Sequence, residues 1–224
     1  MQLYNGGNSL WPASPTALAR LRLGTWNIAS LVHQKAAQRK YRAAKLQKYL
    51  LQLDAVALQE THADWTRIVN LAPGIHARFH IFASPGPNAA TGGVALLVRR
   101  DLFSAAARFT MEVVATGRVI RVHIEDGSFH MTLFSIHNAS ISAGDLDKLC
   151  ARLRDDRERI AAAPDSRAGF VLGDFNYTSD AEDSLSPENL DQGAPAIRPG
   201  QSKLTKALAL ATELKAHGFS HFCK

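Results

Sequence analysis

A chain of 224 residues is long enough for one large domain with a sizeable core, and 46% hydrophobic with 21% charged residues exclude a mainly disordered polypeptide. No window approaches the roughly 20 apolar residues of a membrane span, so a soluble protein without a membrane partner is expected. The formal net charge of +6 favours a polyanionic partner, and Cys150 and Cys223 have neither metal-ligand spacing nor disulfide-scaffold density, which points to a reduced intracellular setting, the nucleus included.

Residues 1–20 mix Gly, Asn, Ser and Pro, carry no signal-peptide apolar run, and read as a flexible leader to a domain over 21–224. "LRLGTWNI" (21–28) alternates like a strand. The segment 35–52 places Ala36, Ala37, Tyr41, Ala44, Leu46, Leu50 and Leu51 at helical spacing, interleaved with Lys35, Arg39, Lys40, Arg42, Lys45 and Lys48 and no acidic residue. That basic run is either a solvated helix face or a contact to a phosphate backbone, with Arg39, Lys40 and Arg42 as the candidates. "DAVALQET" (54–61) is a short buried strand ending on polar residues, and "HARFHIFAS" and "GGVALLVRR" are two more strands around a turn-rich "PGPNAATGG". "RVIRVHIE" and "SFHMTLFSIH" form a hairpin about Asp126-Gly127. Ser142 with Asp145 makes a capping box for a helix through about Ala162, "AGFVLGDFN" is the next strand, 177–200 is a loop, and "SKLTKALALATELKAHG" is a helix closed by Gly218. The hairpin argues against a purely parallel sheet and for two packed sheets flanked by helices.

Four strands end in groups that bind a hard cation or a phosphate: Asn27, Glu60, His137, and Asp174 with Asn176. Each alone has a plain reading: a turn asparagine, an exposed strand terminus, a surface histidine, an Asx turn. Four in order on four apolar strands argue for one cleft.

"GTWNI", "DAVALQET", "GGVALLV", "GRVIRVHI", "FSIHNAS" and "LGDFN", over about residues 21–217, resemble the endonuclease/exonuclease/phosphatase superfamily that includes deoxyribonuclease I and the apurinic/apyrimidinic endonucleases. Among its members they are most similar to the endonuclease domains of non-long-terminal-repeat retrotransposons. The resemblance implies an α/β (α+β) fold, a four-layer αββα sandwich of two packed mixed β-sheets flanked by helices, and metal-dependent cleavage of phosphodiesters, with DNA as the expected partner. It makes Asn27 and Glu60 ligands of Mg2+, or of Mn2+, and oxygen donors of this kind suit that ion. It gives Asp174 a role in proton transfer or water orientation, Asn176 a hold on water or phosphate oxygen, and His137 a contact to the phosphate. Gly173 permits a close backbone approach or serves a turn.

The family closes on a Ser-Asp-His motif that supplies the general base. Here no Asp follows Asp191, and His217 and His221 lie in no such motif. The expectation is a domain truncated at its C-terminus, lacking the base and, alone, weak or inactive. Two other readings accompany the endonuclease: a phosphatase or phosphodiesterase for inositol phosphate, lipid or RNA, and a non-catalytic nucleic-acid-binding or interaction remnant.

Overall fold

The structure, a computed structural model, describes residues 2–5, 21–32, 35–71, 74–88, 91–139, 141–164 and 166–174. Asn176, the expected loop over 177–200 and the expected helix ending at Gly218 lie outside them, as does the remainder of the expected leader.

Among the described residues the first sheet has five strands. They are β1 (Gln2–Asn5), β2 (Arg22–Asn27), β3 (Ala55–Gln59), β4 (Phe79–Ser84) and β5 (Val94–Arg99), in the order β1-β2-β3-β5-β4. The expected leader thus contains one strand, paired antiparallel to β2 through Gln2↔Thr25 and Asn5↔Arg22. β2 and β3 run parallel, joined by helix α1 (Ala36–Leu50) as a parallel connection requires. All five residues of β3 are buried, as a central strand demands. Two short helices, α2 (Trp65–Leu71) and α3 (Ile75–Arg78), follow.

The second sheet is β6 (Arg108–Ala115), β7 (Val119–Asp126), β8 (Phe129–His137) and β9 (Arg167–Asp174), in sequential order. β7 and β8 close over Gly127, whose φ of +61° is the left-handed region that glycine enters without strain. β8 and β9 are parallel, connected by α4 (Ala143–Ala162). Ser142 caps α4 by accepting from the Asp145 N–H, as the sequence leads one to expect.

Alternation along the strands explains how the sheets stack. Leu23, Ala57, Leu96 and Val98 of the first sheet meet Ile120, Val122, Leu133 and Leu172 of the second in one dry core. On the far side of the first sheet, Leu46 and Leu50 of α1 and Ile68 of α2 cover Val56, Leu58 and Leu97. On the far side of the second, Leu146, Leu149 and Leu153 of α4 cover Phe134, Ile136 and Val171. The result is the four-layer αββα sandwich, with each fully buried aliphatic side chain contributing about 1.5–3 kcal/mol.

Three local features differ from expectation. The segment "HARFHIFAS" is not one strand: Ile75–Arg78 forms a helical turn after Gly74, and the strand starts at Phe79, where pairing to Arg99 begins. Strand β6 and helix α2 carry no clean period in the sequence; β6 is an edge strand with Met111 and Val113 exposed. In α1 only Leu46 and Leu50 are buried, while Tyr41 and Leu51 face solvent.

Candidate active site

Two parallel pairs, one in each sheet, determine where the polar residues go. β2 and β3 end together at Asn27↔Gln59, and β8 and β9 end together at His137↔Asp174. Because β2 packs near β9 and β3 near β8 across the sandwich, the four strand ends converge at one edge of it. The expected pattern of polar strand ends is therefore one constellation, apart from Asn176, which lies outside the described residues.

The chain beyond β2 and β3 continues the sheet as a coupled pair of loops. Ile28 N–H donates to the Gln59 carbonyl at 3.0 Å, Ser30 N–H to Glu60 at 2.6 Å, and Leu31 N–H to Thr61 at 2.9 Å. Within these loops Ala29, Ser30, Glu60 and His62 all have positive φ, between +48° and +81°. Such backbones cost of order 1–3 kcal/mol each and persist only where surrounding contacts fix them. The fixing contacts are visible: Thr61 N–H and His62 N–H donate to Gly93 and Gly92, each at 3.1 Å, and a Cβ on Gly93 would sit 2.5 Å from Thr61 Oγ1. Arg42 of α1 donates to the Ala29 and Ser30 carbonyls from the other side.

Held this way, Glu60 faces Asn27. The Asn27 amide nitrogen donates to Glu60 Oε1 at 3.1 Å and to Asp174 Oδ2 at 2.7 Å, while its oxygen accepts from the Ala29 N–H at 3.1 Å. Two carboxylates from opposite sheets thus converge on a single amide. Asn27, expected as a direct cation ligand, turns its N–H groups toward the carboxylates and its oxygen toward the Ala29 N–H. The oxygen donors gathered here are the carboxylates of Glu60 and Asp174 and the Asn27 amide oxygen, the hard ligands that magnesium and manganese take from proteins.

His137 closes the back of the cluster. Its side chain is 2% exposed, with Nε2 3.3 Å from Glu60 Oε1 and Nδ1 2.8 Å from Arg118 Nη1. A guanidinium can only donate, so Nδ1 is the acceptor and the neutral ring carries its proton on Nε2, on the side of Glu60. Burial lowers the His137 pKa first and the Arg118 charge lowers it further, against the opposing pull of Glu60 and Asp174. Nε2 is buried on the Glu60 side and makes no well-aligned hydrogen bond among the described residues. His62, at the rim, is also lowered, chiefly by burial, with Glu60 raising it and Arg42 and Arg118 lowering it.

Arg118 was not among the residues the sequence pattern singled out, and neither was a buried network beneath the site. Gln59, fully buried, accepts from Thr25 Oγ1 at 3.1 Å and donates to Ser135 Oγ at 3.5 Å, linking β2, β3 and β8 below the carboxylates. A glutamine inside an apolar run was the available signal. Gly173 is explained by close approach: a Cβ there would lie 2.2 Å from the Ile136 carbonyl oxygen of β8. Of the basic candidates on α1, Lys40 is exposed, Arg39 is half-buried, and Arg42 is engaged in bracing the loop after Asn27.

A family model described as the Endonuclease/Exonuclease/phosphatase family matches residues 24–217. No curated protein matches the chain. Among solved structures it is similar to a humanized D. rerio TDP2 carrying 14 mutations, at 16% identity and a TM-score of 0.43, covering 77% of this chain and 66% of that one. It is also similar to D. rerio TDP2 complexed with single strand DNA product, at 18% identity and a TM-score of 0.43, covering 77% of this chain and 64% of that one. The chain thus spans slightly less than two thirds of the length of either protein.

Proposed function

The chain belongs to the endonuclease/exonuclease/phosphatase family, and from that premise we propose that it is a divalent-metal-dependent phosphodiester hydrolase, a DNA endonuclease domain of mobile-element type. The observation that carries the reading is the meeting of Glu60 and Asp174, from separate sheets, on the Asn27 amide. Two carboxylates brought this close repel unless something positive stands between them. Glu60 and Asn27 would hold Mg2+ or Mn2+, with Asp174 beside them, and the ion would supply charge stabilisation for the scissile phosphate and its leaving oxygen.

The chain's own residues supply the rest. Asn27 keeps the two carboxylates in register, and the loop braced by Arg42 keeps Asn27 in place. His137 donates its Nε2 proton in a hydrogen bond to a non-bridging phosphate oxygen, and Arg118 fixes that tautomer while adding positive potential. Asp174 orients the attacking water, and Asn176, two residues on, holds that water or a phosphate oxygen. Lys40 and its neighbours on α1 offer the phosphate-backbone contact, a role that predicts a binding affinity falling steeply with salt.

A second reading within the same fold is a polypeptide that binds nucleic acid without cleaving it, and the basic run on α1 is the feature common to both. Conversion of supercoiled plasmid to nicked circles separates the two. The endonuclease reading expects nicking in Mg2+, none in chelator, and a loss of about 100-fold or more in Glu60→Gln and Asp174→Asn. Salt-sensitive DNA binding with no nicking in Mg2+ or Mn2+ would favour the second reading, and neither binding nor nicking would refute both.

A further inference from the structure

The outer face of the second sheet carries a second cluster, distant from the cleft. On β7, residues 121, 123 and 125 alternate outward while Ile120, Val122 and Ile124 enter the core. The register of β7 against β8 sets Glu125 opposite His130 and His123 opposite Thr132. Two imidazoles and a carboxylate therefore share one face of a tight hairpin, with the histidine rings stacked at 5.6 Å.

The atoms point inward on one another. His123 Nε2 lies 3.5 Å from Glu125 Oε1, His130 Nδ1 lies 3.9 Å from the same oxygen, and all three atoms are within 4.8 Å. Zinc bonds near 2.1 Å in a tetrahedron place ligand atoms about 3.4 Å apart, so a small closure completes the set. His123 Nδ1 is 3.1 Å from Thr132 Oγ1, which orients the ring and leaves Nε2 for a ligand. His130 Nδ1 is buried and has no hydrogen-bond partner among the described residues, a costly arrangement unless another atom occupies the site. The nearby Asp156 is taken by Arg121 and is not available as a further ligand.

We propose that His123 Nε2, Glu125 Oε1 and His130 Nδ1 form a binding site for a zinc-class divalent transition ion, with the fourth position open to water or a small anion. His130 and His137 are seven residues apart on β8, about 23 Å at the rise of an extended strand, so this site is separate from the cleft. Its chemistry is also different. Arg159 and Arg167 stand beside the two histidines and disfavour a hard ion held by charge alone, so strong imidazole ligation selects zinc over magnesium.

The test is calorimetric titration of the full chain with Zn2+, with millimolar Mg2+ present to fill the cleft. One zinc site per chain is expected, retained in Glu60→Gln and weakened about 10-fold or more in His123→Gln and in His130→Gln. Imidazole 15N NMR of the wild-type chain supports or overturns the assignment independently of how the variants fold, since zinc must shift His123 Nε2 and His130 Nδ1. Absence of zinc binding, equal affinity in folded variants, loss of the site in Glu60→Gln, or unmoved imidazole resonances would overturn the proposal.

Discussion

Replacing Asn27 by aspartate tests whether three strand ends form one site. The Asn27 amide nitrogen donates to two carboxylates at 3.1 and 2.7 Å. Hydrogen bonds to charged groups are worth about 1.5–3 kcal/mol each, and the half-buried setting puts both together near the low end, about 3 kcal/mol. Asn27→Ala should therefore lose at most about 3 kcal/mol of stability in chelator. Asn27→Asp adds a third carboxylate. Like charges about 4 Å apart repel by up to about 4 kcal/mol per pair at an effective dielectric of 20. The cluster escapes part of this by taking up a proton, which at pH 7 costs about 4 kcal/mol for a carboxyl of ordinary pKa. The expected loss for Asn27→Asp in chelator is thus about 3–7 kcal/mol, larger than for alanine. Mg2+ should then stabilise Asn27→Asp more than wild type, because a third negative charge faces the same ion. Urea denaturation of wild type and both variants, each in chelator and in Mg2+, reads all of these terms. If aspartate is no worse than alanine without metal, or gains no more from magnesium than wild type does, the carboxylates do not share a cation site.

Two further outcomes follow from the geometry. His137 binds protons less readily in the folded chain than in the unfolded one, because burial and then Arg118 lower its pKa; its contribution to stability is full above the unfolded pKa near 6.5 and is lost as pH falls below that value. Wild type should be less stable to urea at pH 5 than at pH 7.5, and His137→Gln should narrow the gap without closing it, since His62, His80 and His123 are lowered too; an unchanged gap would contradict the buried neutral ring. Gly173→Ala must push β9 from the Ile136 carbonyl and should cost about 1–3 kcal/mol while weakening Mg2+ binding through Asp174; full retention of both would show that Asp174 does not depend on that close approach.

Legibility in the sequence followed from how much each feature depends on pairing. The strands ending at Asn27, Glu60, His137 and Asp174 were readable because each is a central or parallel-paired strand whose apolar run stops abruptly at a polar group. Strand β6 was not, because an edge strand with Met111 and Val113 facing solvent has lost the alternation that identifies strands. The helical turn Ile75–Arg78, four residues long, barely exceeds one helical period and so shows no repeat in the sequence, and only the left-handed Gly74 before it marks the change. Arg118 precedes its strand in a turn, and its contact with His137, nineteen positions on, exists only through the antiparallel pairing of β7 and β8. The same pairing assembles His123, Glu125 and His130, three residues that no linear motif connects. Asn27 illustrates a finer limit: its place in the site was legible, but which end of its amide faces the carboxylates depends on the Ala29 N–H.

Magnesium binding by the wild-type chain and by Glu60→Gln, measured by titration calorimetry, tests the central claim most directly. The substitution keeps the side chain's shape and removes one of the two charges that converge on Asn27. Wild type should bind one magnesium ion in the cleft, and the variant should bind it with an affinity lower by about 10-fold or more. Equal affinity in the two proteins, or no magnesium binding by wild type, would contradict the central claim.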